Sequence, residues 1–509
     1  MSIASRLKSR LSVETIAAIL AIALGLILRL RQISINLTFW LDEAMLALNI
    51  INRSFLGLVE PLDYNQGAPP GFLWVSKAMV TLLGNHEYAL RLFPFLASCA
   101  ALFLLWLLAR QLTRPFGVMF TLLIFASSHT IVSYAAQFKQ YAVDVAITLL
   151  LYLLALSLLR KVCFQKDYIL MALLGSLSIW MSHPAVFTLA GIGIMLMAIS
   201  IIKKDRAGMR GYFFVGILWL LNFAALYFIQ FRSLASNNFL SNYWSEFFMP
   251  LTPAAPGWVL SSLAGLFRAP AGLSEAVPTI LILGLFFGGA ISLFWMEKRW
   301  IWMFTLSILF ALVASSLGKY PFGGRFGMFA IPGLLICVGE GLELLRRAFM
   351  SSGLTAGPIL GRVSVILLVG YMLYTPLVLS IEAAFKPGMA ENITYSLASL
   401  KANYRKDDVI YLHPMSIPAF RYYAPKFGLE NASVFNGSDF HENRQAYQAE
   451  VAGLAGYKRV WFLFSHLTDT QYTDDLDAIL KYANLVGVKK REFSEPGTLI
   501  KLYLYELTP

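Results

Sequence analysis

Two adjacent carboxylates, Asp42 and Glu43 in Phe39-Trp-Leu-Asp-Glu-Ala, follow the first apolar run directly and open a stretch with amphipathic spacing. One reading makes Asp42 a helix N-cap, with Glu43 in the first turn facing the positive end of the helix dipole. The other makes one of the two carboxylates a general base, taking a proton from a nucleophile held beside it. On local sequence alone the two readings stand level.

A second polar group is Gln137, Lys139, Tyr141 and Asp144. Positions 137, 141 and 144 share one face of a helix, with Lys139 turned elsewhere at its start, as a snorkelling lysine beside an interfacial tyrosine. Asp144, one turn inside an apolar run, needs a partner. A third group is Lys319-Tyr320-Pro-Phe-Gly-Gly-Arg325. Its glycine pair and two cations suit close approach to a phosphate, although the Walker pattern is absent; a plain tight turn explains it equally. His183-Pro184 marks a helix break, and Arg91 pairs with Glu87 across one turn. The six histidines show no metal-ligand spacing. Asn-X-Ser/Thr triplets at Asn36, Asn52, Asn392, Asn431 and Asn436 are within chance.

The elements that must position these groups are membrane helices. Of 509 residues 58% are hydrophobic and only 14% charged, and the mean hydropathy is +0.64. A soluble domain carries roughly a quarter of its residues as charges, so a soluble enzyme, a disordered chain and a disulfide scaffold are excluded. Runs of about 20 apolar residues suffice to cross the hydrocarbon. They predict eleven spans: 13–33, 89–109, 116–134, 141–159, 168–182, 185–202, 211–231, 276–296, 300–318, 326–345 and 363–383. The stretch between Asp167 and Lys203 is too long for one crossing, and Ser182-His183-Pro184 divides it; a re-entrant pair there gives ten. The first run lacks a cleavage site and is a retained helix.

Residues 1–385 hold 27 Lys+Arg against 15 Asp+Glu, whereas residues 386–509 hold 14 against 14. The excess of +12 therefore lies in the membrane part and reads as a topology signal, with no nucleic acid as partner. An N-terminus inside places Arg6, Lys8, Arg10, Arg110, Arg114, Arg160, Lys161, Lys166, Lys203, Lys204, Arg206, Arg210, Lys298, Arg299, Arg346, Arg347 and Arg362 on the cytoplasmic side. Loops 34–88 and 232–275 and the tail then lie outside. The first loop holds interfacial helices around 42–58 and 70–84, and Trp40, Trp74, Tyr88, Tyr243, Trp244 and Trp258 form an aromatic belt. Cys99, Cys163 and Cys337 are far apart and form no framework.

Two domains result: a transmembrane domain over 1–384 and a soluble α/β domain over 385–509. The second is read from strand-like runs (Val409–Leu412, Val434–Asn436, Arg459–Phe464, Leu499–Leu504) alternating with helical stretches around 417–424, 442–454 and 474–483.

The order of motifs resembles the C-type, polyprenyl-phosphate-sugar-dependent glycosyltransferases of bacterial inner membranes, the group of protein O-mannosyltransferases and the lipid A aminoarabinose transferase. The resemblance runs from about residue 10 to 345. It rests on the Asp42-Glu43 pair, Gln66-Gly-Ala-Pro-Pro-Gly, Gly84-Asn-His-Glu-Tyr-Ala-Leu-Arg91-Leu-Phe-Pro, Tyr134-Ala-Ala-Gln-Phe-Lys-Gln-Tyr-Ala-Val-Asp144 and Tyr320-Pro-Phe-Gly-Gly-Arg325. It implies a GT-C fold and transfer of a sugar, with inversion, from a lipid-linked phosphate to a lipid, glycan or protein acceptor at the periplasmic face. It further implies Asp42 as general base with Glu43 assisting. Lys139 and Arg325, with Arg91 and Lys319 behind them, become candidates for holding the donor phosphate. Tyr141, Asp144, Gln137, Tyr320 and His183 become candidates for the rest of the substrate. Many relatives carry an acidic residue where this chain has Gln137, a departure that counts against a divalent metal cofactor.

The rival readings are a lipid-linked-sugar flippase or transporter and a membrane receptor. The first predicts midplane polar residues and inverted repeats, neither of which the sequence shows. The second leaves the acidic pair and the basic loops without a use.

Overall fold

The computed structural model describes residues 13–273, 277–296, 298–351, 357–386, 391–495 and 497–508. Arg6, Lys8 and Arg10 of the expected basic N-terminus lie outside the described residues, as do 274–275 of the second long loop and residue 276 heading one expected span. The chain divides into two units. One comprises Met1–Ile35, Phe55–Pro61 and Gly67–Lys386; the other comprises Asn36–Ser54, Leu62–Gln66 and Pro387–Pro509.

The first unit is a helical bundle. Among the described residues eight helices are long and apolar enough to cross a membrane, or nine if one bent pair counts as a span. The chain is a multi-pass membrane protein. The other two expected spans are helices as well: Gln165–Met181, and Lys298–Ser316, whose apolar part is Ile301–Ser316. At 17 residues, the former is about 26 Å long at 1.5 Å per residue, short of the ~30 Å hydrocarbon unless the bilayer thins. The break expected at Ser182-His183-Pro184 separates Gln165–Met181 from Ala185–Ile202.

The run expected as one span over 116–134 is instead two helices, Pro115–Ser127 and His129–Ala135, bent by 58°. Ser128 supplies the break: its hydroxyl accepts from the Ile131 N–H at 3.3 Å and donates to the Pro270 carbonyl at 2.6 Å. The carbonyls exposed at the end of the first helix need donors. Arg29, fully buried, provides them, reaching the Phe125 and Ala126 carbonyls at 3.3 Å each and the Ser98 hydroxyl at 2.8 Å. A cation in an apolar helix is thus explained as a helix C-cap in trans.

Helix contacts are close where side chains vanish. A Cβ on Gly289 would run into the Cys337 carbonyl, and one on Gly341 into the Leu285 carbonyl, so the Thr279–Met296 and Ile331–Met350 helices touch backbone to backbone. Buried Glu340 on the second of these accepts from Thr113 at 2.6 Å and Ser292 at 2.9 Å and pairs with Arg114.

The second unit carries a five-stranded sheet: β1 (Val409–Leu412), β2 (Ser433–Asn436), β3 (Arg459–Phe464), β4 (Gly487–Glu492) and β5 (Lys501–Leu507), in the order β2-β1-β3-β5-β4. β1 runs parallel to β2 and β3, while β5 is antiparallel to β3 and β4. β1 is buried at every position and β3 at all but its first, as covered central strands must be. The helices Ile393–Asn403, Ile417–Tyr423, Ala446–Ala452 and Thr470–Val486 belong to this unit. β4 and the Ile393–Asn403 helix are absent from the sequence reading. β4 is Gly-Val-Lys-Lys-Arg-Glu, exposed along almost its whole length. Charged edge strands resist edge-to-edge pairing and for that reason lack the apolar alternation that marks a strand.

Candidate active site

The acidic pair belongs to the second unit. The Leu41–Asn52 helix begins with Trp40 as N-cap, without a side-chain cap. Asp42 is thus not the N-cap; it and Glu43 both lie in the first turn, and the Glu43 N–H donates to the Trp40 carbonyl at 3.0 Å. Glu43 is buried at 1% exposure, whereas Asp42 is half-buried. Helical phase explains the difference, since adjacent residues point about 100° apart.

The cap that the local sequence lacks comes from the tail. Glu391 Oε2 accepts the Leu41 N–H at 3.0 Å, and the Glu391 carbonyl accepts the Thr38 hydroxyl at 2.9 Å. The Phe39 N–H donates to the Tyr423 hydroxyl at 2.8 Å, and the Phe39 ring sits edge-on to Tyr422 at 5.0 Å. At the helix's far end, Asn49 exchanges hydrogen bonds with the Asp63 backbone, and Arg53 meets the Asp63 carboxylate at 2.9 Å.

Glu391 Oε1 in turn lies 2.6 Å from His466 Nδ1. Burial pulls the His466 pKa down, but the hydrogen bond to Glu391 and the charges of Glu391, Asp42 and Asp469 outweigh it, so the imidazole holds its proton above the ordinary histidine range. Glu391 and His466 escaped the sequence reading. Neither lies in a motif, and they are 75 residues apart. The one available signal was that Trp40 cannot cap a helix, so a remote acceptor was owed.

The remaining candidates belong to the first unit. The helix expected to hold Gln137, Tyr141 and Asp144 on one face starts only at Tyr141. The Lys139 N–H closes a tight turn on the Gln137 carbonyl at 2.9 Å, so Gln137 precedes the helix and does not share that face. Lys139 is buried at 5% exposure rather than snorkelling. Arg91 is buried in the Glu87–Leu112 helix, and Lys319 is exposed.

Tyr141, Asp144, Tyr320 and Arg325 do come together. The Arg325 guanidinium carbon lies 4.8 Å from the Trp244 ring centre, 5.7 Å from Tyr141 and 5.8 Å from Phe326. Tyr141 meets Phe326 edge-on at 6.0 Å, and the Tyr320 hydroxyl donates to the Phe326 carbonyl at 2.9 Å. Asp144 neighbours Tyr320 and Ser182. Its Oδ1 is buried with no hydrogen-bond partner among the described residues. Trp244 is part of the cage around Arg325. Gly323 and Gly324, at φ +147° and +46°, make the turn that presents Arg325, and Phe247 packs against Gly323 where a Cβ would come within 2.7 Å.

His183 belongs to a third constellation. Its Nε2 lies 3.2 Å from Gln230 Oε1, and Gln230 Nε2 donates to the Ala68 carbonyl at 2.7 Å. Gln140 donates to the neighbouring Gly67 carbonyl at 3.2 Å. Gln230 sits in a five-residue π-helical turn, Tyr227–Phe231, a widening common at functional sites. Among the described residues no group of three His, Cys, Asp or Glu is placed to hold a metal ion.

Residues 67–228 match the family model of dolichyl-phosphate-mannose-protein mannosyltransferase. No curated protein sequence matches the chain. Among solved structures, ArnT from Cupriavidus metallidurans bound to undecaprenyl phosphate superposes with a TM-score of 0.56 at 12% identity, over 96% of this chain and 97% of that one. The oligosaccharyltransferase of Archaeoglobus fulgidus, in complex with zinc and sulfate, superposes with a TM-score of 0.53 at 10% identity, over 96% and 73% of the two chains. The archaeal oligosaccharyltransferase AglB from the same organism, with an inhibitory peptide and a dolichol-phosphate, gives 0.51 at 11%, over 96% and 74%. The chain thus has the fold of these GT-C membrane proteins, and its residues 67–228 are similar to the protein-mannosyltransferase family model.

Proposed function

We propose that this protein transfers a sugar from a polyprenyl-phosphate donor to an acceptor hydroxyl or amine, with inversion, and that Asp42 is the general base. The observation that carries this reading is the first turn of the Leu41–Asn52 helix, with Asp42 half-buried beside a fully buried Glu43. The likeness to a transferase solved with undecaprenyl phosphate supports the donor class. In this reading Asp42 takes the acceptor proton as the acceptor oxygen or nitrogen bonds to the anomeric carbon. The carbon–oxygen bond to the phosphate breaks, and the phosphate leaves with the electron pair. Inversion follows from a single displacement. Glu43 orients the acceptor, while Lys139, Arg91 and Arg325 hold the leaving phosphate. Tyr141, Asp144 and Tyr320 meet the sugar, the Asp144 Oδ1 accepting from a sugar hydroxyl.

The proposed setting is the bacterial inner membrane, N-terminus cytoplasmic and tail periplasmic. A polyprenyl donor cannot leave the bilayer, so its phosphate stays at headgroup depth, within reach of groups on short loops.

The test is purified protein and Asp42→Asn incubated in native membrane lipid with radiolabelled undecaprenyl-phosphate sugars. The expected result is release of label by the wild type only, with Asp42→Asn folded and still binding the donor. Identical behaviour of the two proteins removes Asp42 from the chemistry.

A further inference from the structure

The acidic helix is held at its start by groups more than 300 residues away. A helix N-terminus leaves backbone donors without partners, and in this one the Leu41 donor ends on a carboxylate from the tail. That carboxylate is itself anchored by a histidine. β1 lies between β2 and β3, so the carboxyl ends of β1 and β3 frame the place where the strand order reverses. His466 follows β3 by two residues, at φ +60°, a conformation a non-glycine residue keeps only where its surroundings enforce it. Its ring lies 5.8 Å from that of Tyr472.

We infer that Glu391 and His466 form a positioning pair for Asp42: Glu391 fixes the turn that carries the base, and His466 fixes Glu391 and faces Asp42. The inference deepens the proposed function and rests on Asp42 being the base. The two oxygens of Glu391 are used separately, Oε2 on Leu41 and Oε1 on His466, so the carboxylate cannot rotate without losing one of them. The groups facing the imidazole are Glu391, Asp42 from the acidic helix and Asp469 from the start of the Thr470–Val486 helix. All three are acidic. Removing His466 takes away the positive charge on which these three carboxylates act.

The sign follows from that surplus. Below the raised His466 pKa the imidazolium is present and the turn is fixed. As pH rises through that pKa the positive charge goes, and the pair weakens.

Two measurements on the full chain in lipid nanodiscs test this. The first is amide hydrogen exchange of residues 38–52, corrected for intrinsic rates, in wild type, His466→Gln, Glu391→Gln and Glu391→Ala, with β3 as control for a folded tail. Glu391→Ala is expected to speed exchange roughly tenfold or more, the loss of one charged hydrogen bond; Glu391→Gln, which keeps an acceptor, less. Wild-type protection falls as pH rises through the His466 titration, and His466→Gln lowers and flattens it. Unchanged protection in all variants overturns the inference.

The second is the pH profile of sugar release. His466→Gln is expected to lose the basic limb and to lower kcat roughly tenfold, as a slightly misplaced base does, while the KM for the donor stays the same. If wild type transfers sugar and His466→Gln keeps both kcat and its basic limb, the inference fails. If exchange responds as expected but wild type releases no sugar, the transferase reading fails and the pair remains as a structural clamp only.

Discussion

The Arg325 guanidinium carbon lies 4.8 Å from the centre of the Trp244 ring, with Tyr141 and Phe326 at 5.7 and 5.8 Å. Stacking uses the faces of a guanidinium and hydrogen bonding its edges, so aromatic neighbours orient the group for an anion without competing for its donors. Arg325→Ala is expected to weaken binding of radiolabelled undecaprenyl phosphate roughly tenfold or more, as loss of a charged hydrogen bond does. Trp244→Ala should cost about threefold, the size of one partly exposed cation–π contact. Arg325→Lys should not restore affinity, because an ammonium neither stacks flat nor donates as a fork. Full affinity in Arg325→Ala removes this residue from the donor site.

Arg29 tests whether a buried cation is there for structure alone. Arg29→Met strips the donors from the Phe125 and Ala126 carbonyls, and the expected loss is about 2–4 kcal/mol of stability, read as a lower unfolding midpoint in detergent. Exposed Arg31, two residues on, is the control; Arg31→Met should change stability by less than about 0.5 kcal/mol.

Gln230 ties the π-helical turn to the segment ahead of the Pro70–Leu83 helix. Gln230→Leu leaves both the Ala68 carbonyl and His183 Nε2 without their present partner. The expected cost is about 1–3 kcal/mol, with faster amide exchange over 66–73. Glu is the informative second variant. It keeps an acceptor for His183 and loses the donor to Ala68, so slow exchange in Gln230→Glu would show that the Ala68 bond is dispensable.

Acid should loosen the tail through Asp475. Burial pushes this carboxyl up, but the hydrogen bond from Arg444 and the nearby charges of Arg444 and His413, the latter 3.9 Å away, pull it further down, so its pKa lies below the ordinary aspartate value. A depressed folded pKa means stability that is present above the unfolded value, about 3.9, and lost as pH falls through the folded one. Arg444→Ala removes the 2.9 Å contact with Asp475 and should shift acid unfolding of the tail to higher pH, monitored by Trp461, buried on β3. An unchanged acid midpoint would show that the pair is not what fails first.

Much of the architecture was legible because the physics behind it is local. A run of apolar residues buries itself in hydrocarbon whatever its neighbours do, and each of the eleven runs forms a helix or a helix pair over its described residues. The pair of helices around Ser182-His183-Pro184 and four of the five strands were legible for the same reason. What failed to show was set by distant contacts. The bend at Ser128 depends on Pro270 and Arg29, and no property of 116–134 announces it. β4 hid because an exposed edge is written in charges. The turn at Gln137–Lys139 lies ahead of the Tyr141–Leu159 helix and takes Gln137 off the expected face.

The candidate site divides along the same line. Composition and spacing determined that this is a multi-pass membrane chain, and the motif order pointed to the acidic pair, to Arg325 and to Asp144, because residue type and its nearness to an apolar run are properties of the string. Only the tertiary structure decided that Glu391, capped to His466, completes the first turn of the acidic helix, and that Trp244 and Phe326 enclose Arg325. A helix N-terminus demands an acceptor and a guanidinium favours an aromatic face, but neither demand says where along 509 residues the partner comes from. Packing chooses it, since the partner is whichever group the completed fold brings within about 3 Å of a donor or about 6 Å of a ring.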